Sequence, residues 1–157
     1  MDLAPAVTPH EDDAELLRRT AQGEEEAFRR LVRRHHPRLR RLARRLCGHE
    51  QDAEDLTQET FLRALRAAGR YRPRAPVGTW LCSILRNAFL DLDRRRRRRP
   101  ESDWKEHHED TLPATGPGPD RRWEQQRLQG RLDAALQRLT LEERLAFVLS
   151  AVEGLSY

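Results

Sequence analysis

Apolar residues recur along this chain at intervals of three and four residues, the spacing that places side chains on one face of an α-helix. The pattern is clearest from Glu24 to Cys47, where the apolar stripe keeps its phase across Pro37. A proline inside a helix removes one backbone hydrogen bond and bends the helix. We therefore expect one long, kinked helix that ends at Gly48, since glycine often terminates helices.

Three more helices are predicted in the first hundred residues. The first follows a capping Asp12 or Asp13 and ends at Gly23, and the second runs from Asp52, its expected N-cap, to Ala68. After a loop at residues 69–78, which holds two prolines, the third helix carries an apolar arc into six consecutive arginines at residues 94–99. On the helix predicted from Asp52 to Ala68, the half that faces the core is expected to hold Ala53, Leu56, Thr60, Phe61, Ala64, Leu65 and Ala68.

The segments on either side of these helices differ in character. Residues 1–11 hold two prolines and no apolar period, which predicts a disordered leader, and residues 100–120 hold four prolines and two glycines, which predicts a flexible linker. A fifth helix is marked by Leu128, Leu132, Ala135, Leu136 and Leu139. Thr140 and Glu143 then form a capping-box pattern ahead of a sixth helix, with Gly154 as its stop.

The composition agrees with small helical modules. Hydrophobic residues make up 37% and charged residues 36% of the 157 residues, so we expect an all-α protein with a four-helix domain at 12–99, a linker at 100–120 and a partial helical domain at 121–157. The net charge of +4 favours contact with polyanions but does not specify one. The longest apolar stretch, from Leu145 to Val152, is far shorter than the roughly 20 residues of a membrane helix, so we expect a cytoplasmic protein without membrane insertion.

Enzymatic chemistry finds little support in the chain. Cys47 and Cys82 fall within helical patterns without a neighbouring ligand at a metal-binding spacing, which indicates core thiols in a reducing compartment. The histidine pairs at 35–36 and 107–108 are adjacent residues, whereas helical metal sites need ligands three or four residues apart. With no Gly-rich phosphate loop or nucleophile motif, we expect no catalysis, no metal and no cofactor.

Two helices carry unusual residues on the faces that do not build the core. On the helix that follows Asp52, an acidic and polar outer face of Asp55, Gln58 and Glu59 surrounds Leu62. This pattern is either a solvated face with one stray leucine or a partner-binding patch with an apolar anchor inside a polar rim.

On the arginine-ended helix, Ser83, Asn87 and Arg94 form a polar stripe with Asp91, flanked by Arg86. Asparagine can read a base edge and arginine can grip guanine or phosphate, although a salt-bridged surface helix gives the same pattern. Tyr71 and Trp80 bracket the proline loop and could stack on unpaired bases, while Trp80 could equally pack in the core.

The motifs AEDLTQETFLR at residues 53–63, GTWL at 78–81 and the later Arg86-Asn87 and Asp91 together resemble the sigma-two domain of extracytoplasmic-function (ECF) sigma factors. The resemblance covers about residues 12–99. A shorter likeness, from Leu139 to Tyr157, is to the start of the sigma-four domain, so we expect the chain to be cut short within that domain.

The resemblance implies a sigma factor that directs promoter recognition and DNA opening by RNA polymerase. Asp55, Gln58, Glu59 and Leu62 would dock on the clamp helices of the polymerase beta-prime subunit. The non-template strand of the minus-ten promoter element would be held by Tyr71, Trp80, Ser83, Arg86, Asn87, Arg94 and Arg95. An anti-sigma factor is a further expected partner.

Two alternatives compete with this interpretation. The chain could be an interaction module that binds polymerase or an anti-sigma factor without initiating transcription. It could also be a general nucleic-acid-binding protein that relies on its arginines.

Overall fold

A computed structural model describes residues 12–98 and 121–152, and all the regular structure within them is helical, as the sequence predicts. The helices are α1 (Asp13–Ala21), α2 (Glu25–Cys47), α3 (Glu50–Ala67), α4 (Val77–Arg98), α5 (Arg121–Gln137) and α6 (Leu141–Phe147). A 3₁₀ turn (Ala68–Arg70) follows α3, and a π-helical turn (Val148–Val152) continues α6. The predicted leader at 1–11, linker at 100–120 and stop at Gly154 lie outside the described residues.

The ends of α1 and α2 form as local chemistry predicts. The side chain of Asp12 accepts a hydrogen bond from the backbone amide of Ala14 at 3.3 Å, which satisfies one of the free amides of α1. Pro37 lies inside α2 without ending it. Gly48 follows α2 with a φ of 79°, in the left-handed region that closes helices and that glycine enters without steric cost.

The start of α3 differs from the prediction. The helix begins at Glu50, so Asp52 lies in its first turn and does not cap it. Glu50 is held by ion pairs with Arg40 and Arg44 of α2, which fix the first turn of α3 beside α2. Asp52 instead pairs with Arg96 of α4 at 2.7 Å and ties the beginning of α3 to the end of α4.

The core is built around α2, against which α1, α3 and α4 pack. Its leucines at 31, 39, 42 and 46 are at most 1% exposed, and burial of each contributes about 1.5–3 kcal/mol. His35 on the same stripe is buried as well, and its Nε2 lies 2.8 Å from Asp13 of α1. Cys47 and Cys82 are buried free thiols, which confirms their prediction as core residues.

Leu65 is not in the core, contrary to the sequence prediction. Its side chain is 43% exposed, whereas Phe61 and Ala64 of the predicted inward half are buried. On a helix that turns about 100° per residue, Leu65 lies about 40° beyond Phe61, at the rim of the buried arc. The half-wheel used for the prediction is therefore wider than the surface that α2 and α4 cover.

Helix α5 and the turn that ends α6 pack on α2 and extend the same core. Leu136, Leu145, Val148 and Leu149 are each at most 7% exposed. The capping box at Thr140 is present: its hydroxyl accepts from the amide of Glu143, and the Glu143 carboxylate accepts from the amide of Thr140. Leu128 and Leu132, which helped to predict α5, remain 64% and 36% exposed.

Candidate polymerase and nucleic-acid interfaces

The outer face of α3, defined by Asp55, Gln58, Glu59 and Leu62, is directed away from the core. Asp55 and Gln58 are exposed, and Leu62 is 46% exposed in their midst. Leu65, one turn after Leu62, adds a second exposed leucine that the sequence prediction had assigned to the core. The face therefore presents two neighbouring apolar side chains bordered by acidic and amide groups, and an apolar centre inside a polar rim is the pattern of a protein–protein interface.

Two members of this face are held by neighbours: Asp55 accepts a hydrogen bond from the side-chain amide of Gln51 at 3.3 Å, and Glu59 is bound by Arg63. The guanidinium of Arg63 donates to Glu59 at 2.7 Å through Nε and to Asp91 of α4 at 2.7 Å through Nη1. These bonds raise the pKa of Arg63 and, on the other side, lower the pKa of the Asp91 carboxyl. Arg63 thus joins the outer face of α3 to α4.

The sequence analysis gave Arg63 no role. The spacing of Glu59 and Arg63, four residues apart on one helix, is the available signal, because such residues face each other. The contact across to Asp91 could not be predicted from spacing, since it depends on how α3 and α4 pack.

The polar stripe of α4, defined by Ser83, Asn87 and Arg94, lies on the solvent side of that helix. Ser83 and Asn87 are exposed, and Arg94 is 67% exposed. The Ser83 hydroxyl donates to the carbonyl of Trp80 at 2.6 Å, so it is partly committed to its own helix. The side-chain amide of Asn87 has no hydrogen-bond partner among the residues that the structure describes.

The two aromatic candidates lie together beside this stripe. The rings of Tyr71 and Trp80 meet edge to face with centroids 5.3 Å apart, and both are partly buried against the core. The Tyr71 hydroxyl donates to the carbonyl of Ala75 at 2.7 Å, which fixes the proline loop over the ring. The rings of Tyr71 and Trp80 therefore pack against the core and remain partly exposed at the same place.

The arginines at the end of α4 are not equivalent. Arg95 and Arg98 are exposed, and Arg97 is 71% exposed while it pairs with Asp93 at 2.7 Å. Arg96 is only 28% exposed because it is turned inward to Asp52. Arg86, the remaining candidate, is partly buried. The sequence predicts a uniform run, whereas its third member, Arg96, is bound to Asp52 and serves the fold.

These surfaces are suited to binding. Among the described residues no group of three or more histidine, cysteine or acidic side chains could hold a metal ion. One surface is acidic with leucine anchors, and the other combines a free amide, exposed guanidinium groups and aromatic rings. The first fits a protein partner, and the second fits a nucleic-acid strand.

The family model for Sigma-70 region 2 matches residues 31–99, which span α3, α4 and most of α2. The chain belongs to the ECF sigma factors of that family. It is 38% identical over 144 residues to SigM of Mycobacterium tuberculosis, a match that covers 92% of this chain and 69% of the relative. It is 37% identical over 141 residues to CarQ of Myxococcus xanthus, covering 90% and 78%.

A further relative is more similar but longer. The chain is 47% identical over 127 residues to SigE of Mycolicibacterium smegmatis, and this match covers 81% of the chain but only 49% of the relative. Among solved structures, the chain resembles CnrH in a complex of CnrH with the cytosolic domain of CnrY. That match has a TM-score of 0.62 and 28% identity, and it covers 93% of this chain and 78% of CnrH. In the described part of the chain, no helix is long and apolar enough to cross a membrane.

Proposed function

We propose that this chain is an RNA polymerase sigma factor that directs promoter recognition and DNA opening in transcription initiation, without catalysing a reaction itself. One observation carries the proposal. The acidic, leucine-anchored face of α3 and the polar stripe of α4 are both exposed on adjacent helices inside the region that matches Sigma-70 region 2. A protein partner and a DNA strand can therefore be bound at the same time.

The outer face of α3 is proposed to dock on the clamp helices of the polymerase beta-prime subunit. Leu62 would supply the buried anchor, and Asp55, Gln58 and Glu59 would form the polar rim. Leu65 extends the anchor. Since these side chains make no contribution to the core, the surface is available without rearrangement of the fold.

The stripe of α4 is proposed to hold the non-template strand of the minus-ten element. Asn87 offers a donor and an acceptor to a base, and Arg94 and Arg95 are exposed for phosphate contact. The rings of Tyr71 and Trp80, which meet edge to face beside the proline loop, would support an unstacked base. Ser83 and Arg86 would border that base.

Partners and place of action follow from this role. A complex with polymerase puts the protein in the cytoplasm. CnrH, the structural relative, was captured with a cytosolic domain of another protein, which supports an anti-sigma partner for this chain. We further propose that residues 12–99 form the sigma-two domain, and that residues 121–157 begin a sigma-four domain separated from it by a linker.

Docking on polymerase is tested by replacing Leu62 with arginine and measuring affinity for polymerase core. We expect affinity to fall at least tenfold with little change in melting temperature, because the residue is 46% exposed. Leu128→Arg is the matched control, since Leu128 is an exposed leucine on α5. Equal affinities for both variants would contradict the assignment of the α3 face.

Initiation is tested by adding the chain to polymerase core with sheared genomic DNA of its host and sequencing the 5′ ends of the transcripts. A sigma factor yields a set of start sites that share an upstream sequence. A non-initiating interaction module binds core but yields no start sites. An arginine-driven nucleic-acid-binding protein binds oligonucleotides without core and yields none either.

A further inference from the structure

A carboxylate lies beside the stripe of α4 that is proposed to hold DNA. Asp91 follows Asn87 by one turn and is about 40° from it around the axis of α4, on the side that contacts α3. Its side chain is 40% exposed, so its charge is open to the solvent in front of the stripe. Phosphate groups are negatively charged, and like charges repel at short range. An uncompensated carboxylate at this position would therefore weaken the binding of a DNA strand.

Arg63 of α3 supplies a compensating charge. Its Nη1 donates to Oδ2 of Asp91 at 2.7 Å, and this hydrogen bond is the main cause of the lowered pKa of the Asp91 carboxyl. Arg94, a second cation near Asp91, is farther away, with 3.5 Å between its Nη1 and Oδ1, and its side chain is 67% exposed. An exposed pair at this distance is weak, so Arg94 can turn to a phosphate while Arg63 holds Asp91.

A second bond fixes the direction of the Arg63 guanidinium. Its Nε donates to Glu59 at 2.7 Å, one turn earlier on α3, and the side chain is only 25% exposed. A planar guanidinium that is held through two of its nitrogens keeps one orientation. Arg66, the other arginine of α3, is exposed and forms no ion pair with any residue that the structure describes. Arg66 therefore carries the same charge without the contact to Asp91.

We propose that Arg63 is a positioning residue for DNA binding, which neutralises Asp91 so that this carboxylate neither repels the strand nor occupies Arg94. The inference rests on the proposed function, since it concerns the strand held by the stripe of α4. It also gives Arg63 a role beyond joining α3 to α4. If the role is correct, the loss caused by removing Arg63 comes from Asp91, and removing the charge of Asp91 as well should restore binding.

The experiment measures the affinity of the chain, bound to saturating polymerase core, for a fluorescein-labelled single DNA strand. The strand carries the upstream sequence shared by the mapped start sites, and fluorescence anisotropy reports binding. Arg63→Gln should weaken binding roughly three- to tenfold at about 0.05 M salt, the effect of one uncompensated charge a few ångströms from a phosphate. The loss should shrink at about 0.3 M salt, because salt screens the repulsion.

Affinity for core is measured separately, because Arg63→Gln also releases Glu59 on the outer face of α3. Three variants then separate neutralisation from other effects. Arg63→Gln combined with Asp91→Asn should bind the strand within about twofold of the unchanged chain, although the bridge between the helices is still broken. Arg63→Lys, which keeps the charge, should recover most of the lost affinity. Arg66→Gln, which removes the same charge from an exposed position of α3, should alter affinity by less than about twofold.

Three outcomes would overturn the inference and leave the proposed function intact. A double variant as weak as Arg63→Gln would mean that Arg63 acts only by holding α3 to α4. Equal losses for Arg63→Gln and Arg66→Gln would mean that the total charge of α3 matters and the contact with Asp91 does not. An unchanged affinity of Arg63→Gln would leave Arg63 without a role in DNA binding. A chain that yields no start sites with core would instead overturn the proposed function, and this inference with it.

Discussion

Arg63 contacts two carboxylates on two helices, and this arrangement sets it apart from Arg66, the other arginine of α3. Its side chain is 25% exposed, so its bonds to Glu59 and Asp91 are less screened by water than those of a surface pair. Asp91 also faces Arg94, with 3.5 Å between the nearest atoms. Alternating charges thus run from the proposed polymerase face to the proposed DNA stripe, and Arg63 is the link between the two helices.

Replacing Arg63 with glutamine should lower the free energy of unfolding by about 1 kcal/mol, near the upper end for partly exposed ion pairs, because two carboxylates lose their shared donor. Urea denaturation measures the change. Arg66→Gln is the control, since Arg66 is exposed on the same helix, and it should shift stability by less than about 0.5 kcal/mol. Indistinguishable midpoints for the two variants would show that the bridge between α3 and α4 contributes nothing to folding.

Asn87 and the terminal arginines should affect DNA binding in different ways. Asn87→Ala should reduce the preference of the chain, bound to polymerase core, for its minus-ten strand over a scrambled strand by about 1–3 kcal/mol, with the salt dependence unchanged. Replacing Arg95 and Arg98 with glutamine should flatten the salt dependence and keep the preference. Arg96 is unsuitable for this comparison because it pairs with Asp52. If Asn87→Ala weakened both strands equally, base reading would belong to the loop at 69–78.

At the scale of helices, the limits of prediction from sequence follow from what each element contacts. The existence of α1, α2 and α4 follows from apolar spacing and local caps, which act within a few residues. The start of α3 does not, because Glu50 is fixed by arginines of α2 that are six and ten residues earlier. Leu65 was misassigned for a similar reason, since the width of the buried arc depends on the neighbouring helices and not on α3.

The exposed side chains divide in the same way, into those that local spacing predicts and those that depend on how the helices pack. Asp55, Gln58, Leu62 and Asn87 are exposed as their helical phase predicts, because a position on the outer side of an amphipathic helix stays exposed whatever the width of the buried arc. The inward turn of Arg96 toward Asp52 and the hydrogen bond from Arg144 to the carbonyl of Leu46 could not be foreseen in this way. Both depend on partners more than forty residues away, and nothing in the local pattern marks one arginine in a run as structural.

Helix α5 carries a carboxylate, Asp133, whose burial opposes the packing of α5 on α2. Asp133 faces Arg44 and Arg45 of α2, yet burial raises the pKa of its carboxyl above the ordinary value. One of its oxygens is buried and accepts no hydrogen bond from the residues at 12–98 and 121–152. A raised carboxyl pKa in the folded state means that the charged form is penalised there. The penalty applies above the raised pKa and disappears as the pH falls below the ordinary value of about 4.

Asp133→Asn should therefore stabilise the chain at pH 7, by less than about 1 kcal/mol since the group is only partly buried. The stabilisation should shrink as the pH falls toward about 4 and vanish below it, where the aspartate becomes protonated in both states. Urea midpoints for both proteins from about pH 3 to pH 7 measure the effect. A variant that is less stable at pH 7 would show that attraction to Arg44 and Arg45 outweighs burial.

For the molecule as a whole, the C-terminal segment (α5, α6 and the π-helical turn, residues 121–152) and the bundle of α1 to α4 share one apolar cluster but differ in how much of it they hold. Among the residues whose burial the structure describes, four of the segment are buried, whereas α2 alone buries eight. Fixing each backbone residue costs about 1–2 kcal/mol, so a segment with few buried side chains has little to offset that cost. Its local opening should need less free energy than global unfolding.

Hydrogen exchange of the native chain should therefore resolve two levels of protection, with the amides of α5 and α6 exchanging faster than those of α2. Arg144→Ala should lower protection in α5 and α6 by at least a further tenfold, because it releases the carbonyls at the ends of α2 and α5, and should leave the middle of α2 unchanged. Arg138→Ala, which removes an exposed arginine from the same corner, should alter neither level. Equal protection throughout, lowered everywhere by Arg144→Ala, would mean that all the helices open only together and that α5 and α6 have no local opening of their own.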